Sequence, residues 1–238
     1  MPGLHKRTGP PLVLVVLDGW GESHTRDGNA ILQAKTPAFE ELRDRFPSSL
    51  LTTCGEAVGL PVGQMGNSEV GHMNLGAGRV VFQDLTRIDQ AIAAGEFGRN
   101  DELTAAMDSC EGSGSRTLHL VGLVSDGGVH SHQRHLNALL TLAAERKVSR
   151  VLIHAITDGR DTAPTGGAGY LAALANTCDK VGVGRVATVC GRYHAMDRDG
   201  RWDRTKRAYD AMTSGVGDRG SDPVALIERA YASGTTDE

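Results

Sequence analysis

Few residues of the kinds that mark specialised protein classes occur in this chain of 238 residues. Aromatic side chains make up 4% of it, and its four cysteines lie far apart, with no C-x-x-C pair. This spacing disfavours both a disulfide framework and a zinc knuckle, and it predicts reduced thiols in a cytoplasmic protein. The formal net charge of -4 lacks the basic excess of a nucleic-acid binder, so we expect no nucleic-acid partner.

Long hydrophobic runs are also lacking. The longest covers residues 12–17, whereas a membrane-spanning helix needs about 20 apolar residues, so we expect no membrane partner. Residues 1–11 include basic side chains but no apolar segment, which argues against a secretory signal. Glycine, by contrast, is abundant at 31 residues. Together with 39% hydrophobic and 23% charged residues, it favours a globular α/β chain with tight turns.

Apolar runs typical of buried strands alternate with helical patterns along the chain. This alternation predicts βαβ units and a largely parallel sheet. The predicted strands are residues 12–17, 49–53, 117–124, 151–156 and 185–190. The predicted helices include residues 80–95, 133–146, 169–180 and 202–212, and another starts at Thr36-Pro37, which reads as an N-cap followed by proline.

Glycines at positions 76 and 78 interrupt the periodicity and predict a boundary between two domains. We place the first domain at residues 1–78 and the second at residues 79–238. The small, polar residues 233–238 predict a frayed end.

Ser68 lies among glycines in the segment GNSEVGH, residues 66–72, where a loop would turn into a helix. The G-x-S-x-G elbow of serine hydrolases is missed by one residue. A bound metal would instead lower the pKa of the hydroxyl and make it a nucleophile, with the helix amides facing an anionic phosphate. The alternative is a plain N-cap, the usual role of a serine before a helix.

Asp18 ends the first predicted strand and precedes Gly19. A carboxylate in this position either bonds its own backbone in a turn or binds a hard cation such as Mn²⁺ or Mg²⁺. Alone it decides nothing. Coupled to Ser68, it favours a metal-activated nucleophile and hence an enzyme that moves phosphoryl groups.

The three later predicted strands each end in a polar cluster, at the edge where an open α/β sheet binds its ligand. After the first of them, the histidines 130, 132 and 135 with Asp126 form a possible zinc group. We consider zinc the weaker option, because the arginines at the other strand ends fit an anionic ligand better.

Those arginines are Arg160, Arg192 and Arg198. Their planar guanidinium groups match carboxylate and phosphate, so together they would bind an acid that carries both. Solvated salt bridges with neighbouring aspartates are the alternative for some of them.

Five motifs in this chain resemble, in order, those of cofactor-independent phosphoglycerate mutases. They are DGWG at residues 18–21, GNSEVGH at 66–72, DGGVHSH at 126–132, DGRDT at 158–162 and GRYHAMDRD at 191–199. The resemblance implies the start of an alkaline-phosphatase-like metal domain, followed by an inserted α/β substrate-binding domain that is incomplete here. It also implies an active site with two Mn²⁺ ions, Mg²⁺ being possible.

Seven residues acquire an implied role from this resemblance. Asp18 and Ser68 match metal ligands, and Ser68 matches the serine that is transiently phosphorylated. The matches to substrate-binding positions are His130, Arg160, Asp161, Arg192 and Arg198. The implied reaction interconverts 3-phosphoglycerate and 2-phosphoglycerate, in a glycolytic enzyme of the cytoplasm that is a monomer at full length.

Members of that family are far longer than this chain, and their other metal ligands have no counterpart here. Such cations take about six ligands each, so Asp18 and Ser68 alone predict an inactive chain. Two other functions stay open. One is a phosphohydrolase or phosphopentomutase with the same metal core, and the other is a non-catalytic module that binds a phosphorylated acid.

Overall fold

The three later apolar runs form a parallel sheet, which confirms the predicted α/β fold class. In the computed structural model, which describes residues 9–111 and 116–238, the strands are β1 (Leu118–Leu123), β2 (Val151–Thr157) and β3 (Arg185–Gly191), in the order β1-β2-β3. Both neighbouring pairs are parallel. The carboxyl ends of the three strands therefore meet at one edge, which is where ligands bind in sheets of this type.

The sheet belongs to the second of two compact units, Met1–Phe82 and Gln83–Glu238. Helices α1 (Ala30–Gln33), α2 (Pro37–Arg45) and α3 (Ser68–Ala77) lie in the first unit, with a 3-10 turn at Gly55–Val58. The second unit contains α4 (Asp84–Ala93), a 3-10 turn at Phe97–Arg99, α5 (Asp101–Asp108), α6 (Gln133–Glu145), α7 (Gly167–Val181), α8 (Arg192–Ala195), α9 (Trp202–Ser214) and α10 (Pro223–Ala232).

The core of the second unit lies between the sheet and the two crossover helices. Leu140 of α6, Ile153 of β2, and Leu171 and Leu174 of α7 are all at most 1% exposed. Leu171 and Leu174 are three residues apart, so they share one face of α7. Burial of this apolar face holds the crossover helices on the sheet and fixes the positions of the strand ends.

The two strands predicted near the start of the chain are wrong. Residues 12–17 and 49–53 are not strands, and their side chains are exposed, with Leu12 at 83% and Leu51 at 78%. A run of Val and Leu becomes a strand only when a neighbouring strand pairs with its backbone, and none does so among the described residues of this unit. The helix predicted at Thr36-Pro37 does form, as α2.

The frayed end predicted for residues 233–238 is also wrong. Asp237 is 2% exposed, and its backbone N–H donates to Pro164 O at 2.9 Å. The helix before it, α10, is capped by Asp222, whose carboxylate accepts from Val224 N at 2.9 Å. Packing of α10 against α7 brings the following residues back over the sheet, which composition alone does not reveal.

All four cysteines are free thiols. Within the two described ranges, no helix is long and apolar enough to cross a membrane. The assignment of residues 1–78 to a metal domain and of residues 79–238 to an inserted substrate-binding domain stays a prediction.

Candidate functional site

The helix that begins at Ser68 is capped by the residue before it. Asn67 Oδ1 accepts a hydrogen bond from Val70 N at 3.0 Å, and the Asn67 backbone is extended, as is usual for an N-cap. The alternative role of Ser68 as the N-cap is therefore wrong. Ser68 is the first residue of α3, and its hydroxyl is left for another partner.

That partner is Asp18. Ser68 Oγ donates to Asp18 Oδ2 at 2.5 Å, so the structure brings these two predicted metal ligands together across 50 residues of sequence. Asp18 lies in a turn completed by Gly19, whose φ of 77° suits glycine. Two oxygen atoms this close can both be ligands of one hard cation, so this pair fits Mn²⁺ or Mg²⁺. In residues 9–111 and 116–238, no group of three or more His, Cys, Asp or Glu side chains is arranged to hold a metal.

His72 is the third side chain at this point. Its Nδ1 lies 2.8 Å from Ser68 O and 3.2 Å from Ser68 Oγ. The shorter contact is a hydrogen bond only when Nδ1 carries the proton, because a carbonyl oxygen can only accept. In that tautomer Nδ1 cannot take the proton of the Ser68 hydroxyl. The general base of a serine hydrolase, by contrast, presents an unprotonated nitrogen to the serine hydroxyl.

Arg192 is the centre of a second cluster, at the carboxyl edge of the sheet. It directly follows β3, and it is 7% exposed. Arg192 Nη1 donates to Asp158 Oδ1 at 2.7 Å and to Asp161 Oδ2 at 2.6 Å, so one nitrogen bridges two carboxylates. Burial acts to lower the pKa of Arg192, but the two carboxylates outweigh burial and raise that pKa above its ordinary value.

Asp158 ties the loop after β2 to this guanidinium. Its Oδ1 also accepts from the Arg160 and Asp161 amides, at 3.2 and 2.9 Å, and its Oδ2 accepts from Ser125 Oγ at 3.1 Å. Burial acts to raise the pKa of Asp158, but the Asp161 amide, Arg192 and the other donors outweigh it and lower that pKa. Asp158 is therefore held as a carboxylate, and it fixes the loop that carries Arg160 and Asp161.

Two of the other predicted substrate-binding residues belong to this cluster and are more exposed to solvent than Arg192. His130 Nε2 is 3.9 Å from Asp161 Oδ2, so His130, Asp161 and Arg192 come together. Arg160 and Arg198 are exposed, and neither forms an ion pair with any residue of the described part of the chain. Of the three arginines, Arg192 forms the salt bridges with neighbouring aspartates that the alternative interpretation expected, but these salt bridges are buried and not solvated. The substrate-binding roles of all five residues stay predictions.

The residues of the alternative zinc group are engaged elsewhere. His132 Nδ1 accepts from Arg134 N at 3.2 Å, as the N-cap of α6. His135 Nε2 lies 2.9 Å from Asp89 Oδ1. Asp126 accepts a hydrogen bond from the Tyr170 hydroxyl, and this bond and then burial raise the pKa of Tyr170 to about 12. These side chains brace the loop between β1 and α6.

Three residues of these networks escaped the sequence analysis: Asp89, Arg134 and Tyr170. Ser125 belongs to the polar cluster that follows the first of the three later predicted strands, but the sequence assigned it no role. Asp89 also binds Arg134, 45 residues away, and Tyr170 binds Asp126, 44 residues away. Contacts at such separations leave no local pattern in a single sequence.

The fold and the strand-end cluster define the class first: an α/β protein whose parallel sheet gathers charged side chains at its carboxyl edge. The family follows from comparison with known proteins. The family model described as "BPG-independent PGAM N-terminus" matches residues 88–238. This chain belongs to the BPG-independent phosphoglycerate mutase family.

Individual relatives agree with this assignment. The chain is 56% identical over 230 residues to the 2,3-bisphosphoglycerate-independent phosphoglycerate mutase of Thermomicrobium roseum, and 55% identical over 229 residues to that of a Nostoc species. Each match covers 96% of this chain but only 44% and 43% of the relative, so the chain spans less than half the length of these proteins.

A solved structure shows the same likeness. The Leishmania mexicana phosphoglycerate mutase, crystallised at low cobalt concentration, has a TM-score of 0.68 with this chain at 32% identity. The match covers 85% of this chain and 39% of that one.

Proposed function

We propose that this chain is part of a phosphoglycerate mutase that interconverts 3-phosphoglycerate and 2-phosphoglycerate through a phosphoserine at Ser68. The observation that carries the proposal is the 2.5 Å hydrogen bond between the Ser68 hydroxyl and the Asp18 carboxylate. It puts a nucleophile and an anionic oxygen at one point, in a family whose relatives are named for this activity.

Asp18 and Ser68 would hold one of two Mn²⁺ ions, with Mg²⁺ as a substitute. Metal dependence is supported by the related mutase that was crystallised with cobalt. A bound cation lowers the pKa of a coordinated hydroxyl and neutralises charge on a phosphoryl group. Asp18 orients the Ser68 hydroxyl, Asn67 leaves it free by capping α3, and the partial positive charge at the start of this helix favours the phosphate.

The strand-end cluster of the second unit would hold the glycerate. His130, Arg160, Arg192 and Arg198 would supply donors for a carboxylate, and Asp161 would accept from a hydroxyl. Arg192 is already fixed by Asp158 and Asp161. A grip on glycerate after its phosphate has left separates a mutase from a phosphatase. Without it glycerate would diffuse away, and water would take the phosphate.

The chain alone is expected to be inactive. It spans about 44% of the relatives' length, and two oxygen ligands are far fewer than the six or so that each cation takes. We also place the protein in the cytoplasm, as a monomeric glycolytic enzyme at full length. The four free thiols are consistent with a reducing compartment.

Isothermal titration calorimetry tests the substrate class without requiring turnover. The chain should bind 3-phosphoglycerate more tightly than ribose 5-phosphate. Arg198→Ala should weaken binding about tenfold, the typical value of one charge-assisted hydrogen bond. Arg150→Ala is the matched control, because Arg150 is also exposed but precedes β2, at the opposite edge of the sheet. Equal affinity for the two ligands, or an equal effect of the two substitutions, would contradict the proposal.

A further inference from the structure

Asp237 is a buried aspartate that lies far from every motif along the sequence but is bonded in space to the loop that carries Arg160 and Asp161. Asp237 Oδ2 accepts a hydrogen bond from Gly167 N, the first amide of α7, at 2.8 Å, and Oδ1 accepts from the Tyr231 hydroxyl. The carboxylate therefore connects α7 to α10. It also sits at the positively polarised start of a 15-residue helix, where a negative charge is stabilised.

The backbone of Asp237 makes two more connections to the same loop. Its carbonyl oxygen accepts from Thr157 Oγ1 at 2.6 Å, at the last residue of β2, and its N–H donates to Pro164 O at 2.9 Å. Thr157 and Pro164 flank the loop on both sides. Residues 158–163 are thus held between two points that are both bonded to Asp237.

Three glycines lie against residues 237 and 238, and none of them leaves room for a side chain. A Cβ at Gly159 would lie 2.7 Å from Glu238 N, and one at Gly191 would lie 2.7 Å from Asp237 O. A Cβ at Gly167 would collide with the Asp237 carboxylate itself. Residues 237 and 238 therefore lie directly against the ends of β2 and β3, where the loop and Arg192 begin.

We propose that Asp237 is a positioning residue for the substrate-binding loop, residues 158–163. The proposal rests on the function proposed above for Arg160 and Asp161. Asp237 touches no substrate in this account. It holds the two ends of the loop at fixed points, so that Asp158 can bind the Arg160 and Asp161 amides and Arg192 together.

The test compares Asp237→Asn with Glu238→Gln. Asparagine replaces one acceptor oxygen with an NH₂ group. Facing the Gly167 N–H, this group would set two donors against each other; facing the Tyr231 hydroxyl, it would compete with the Ala168 N–H, from which that hydroxyl already accepts. In either orientation the negative charge at the start of α7 is lost.

Glu238→Gln removes the same charge one residue further on, at an exposed side chain, and serves as the matched control. Thr157→Val, which removes only the bond to the Asp237 carbonyl, is the second variant if Asp237→Asn does not fold.

Hydrogen–deuterium exchange and calorimetry give separate readouts. We expect faster exchange at residues 158–163 in Asp237→Asn with β1 unchanged, and 3-phosphoglycerate binding about tenfold weaker, as for one misplaced charge-assisted bond. Glu238→Gln should change neither. Unchanged exchange in the loop, or an equal increase across the second unit, would overturn the proposal. If the unaltered chain does not bind 3-phosphoglycerate, the proposed function fails, whereas the exchange result still decides the role of Asp237.

Discussion

Replacing Arg192 by lysine and by alanine separates its structural role from its proposed binding role. A single nitrogen, Nη1, makes both contacts to Asp158 and Asp161. The single ammonium of lysine can therefore reproduce both bonds, although it lacks the remaining fork of the guanidinium. We expect Arg192→Lys to keep most of the stability of the second unit and to lose affinity for a phosphorylated acid.

The magnitudes follow from burial. Removing one partner of a buried ion pair costs about 3–5 kcal/mol, because a charge is left without compensation. Asp158 keeps three donors, from Ser125 and two loop amides, so Arg192→Ala should lie near the lower end, at about 3 kcal/mol. Arg192→Lys should cost about 1 kcal/mol. Arg198→Ala, at an exposed side chain, should stay within about 0.5 kcal/mol.

Urea unfolding followed by circular dichroism measures these differences in free energy of unfolding, and calorimetry with 3-phosphoglycerate measures the binding. The reasoning is refuted if lysine destabilises the chain as much as alanine. It is equally refuted if alanine costs no more than Arg198→Ala, since the bridge would then contribute nothing to stability.

Two further predictions concern pH and proteolysis. Burial and then His119 lower the pKa of His154. Below the ordinary histidine pKa of about 6.5, the unfolded chain therefore binds more protons than the folded chain. The free energy of unfolding should consequently fall from pH 7.5 towards pH 5. His154→Asn should reduce that loss in urea titrations and His24→Asn, at an exposed site, should not; equal slopes for both variants would count against this account. Trypsin should cut the unit Met1–Phe82 before the other unit, because apolar side chains such as Leu12, which is 83% exposed, are poorly packed there. Mass spectrometry identifies the early fragments, and simultaneous cleavage of both units would contradict the prediction.

The second unit could be predicted in outline because its signals are local. Each strand is a short Val- and Leu-rich run, and each crossover helix shows one apolar face, so the spacing of apolar residues already favours a buried position for Ile153 and Leu171. The polar residues at the strand ends then had to meet at one edge, as Asp158 and Arg192 do.

The rest depended on contacts that no local pattern encodes. Residues 12–17 have the composition of a strand but lack a pairing partner among the described residues, so propensity alone misled. Asp237 lies in a stretch whose composition is typical of a loose end, yet it bonds Gly167, 70 residues away. The N-cap of α3 is Asn67 and not Ser68, so the Ser68 hydroxyl donates to Asp18 instead.

The most direct test is a coupled enolase assay with Mn²⁺ on a chimera in which this chain replaces the matching portion of a full-length relative. We expect the chimera to convert 3-phosphoglycerate, Ser68→Ala and Asp18→Asn chimeras to lose turnover, and the 238-residue chain alone to show none. Full activity of the Ser68→Ala chimera would contradict the central claim that the Ser68 hydroxyl, held by Asp18, carries the phosphoryl group.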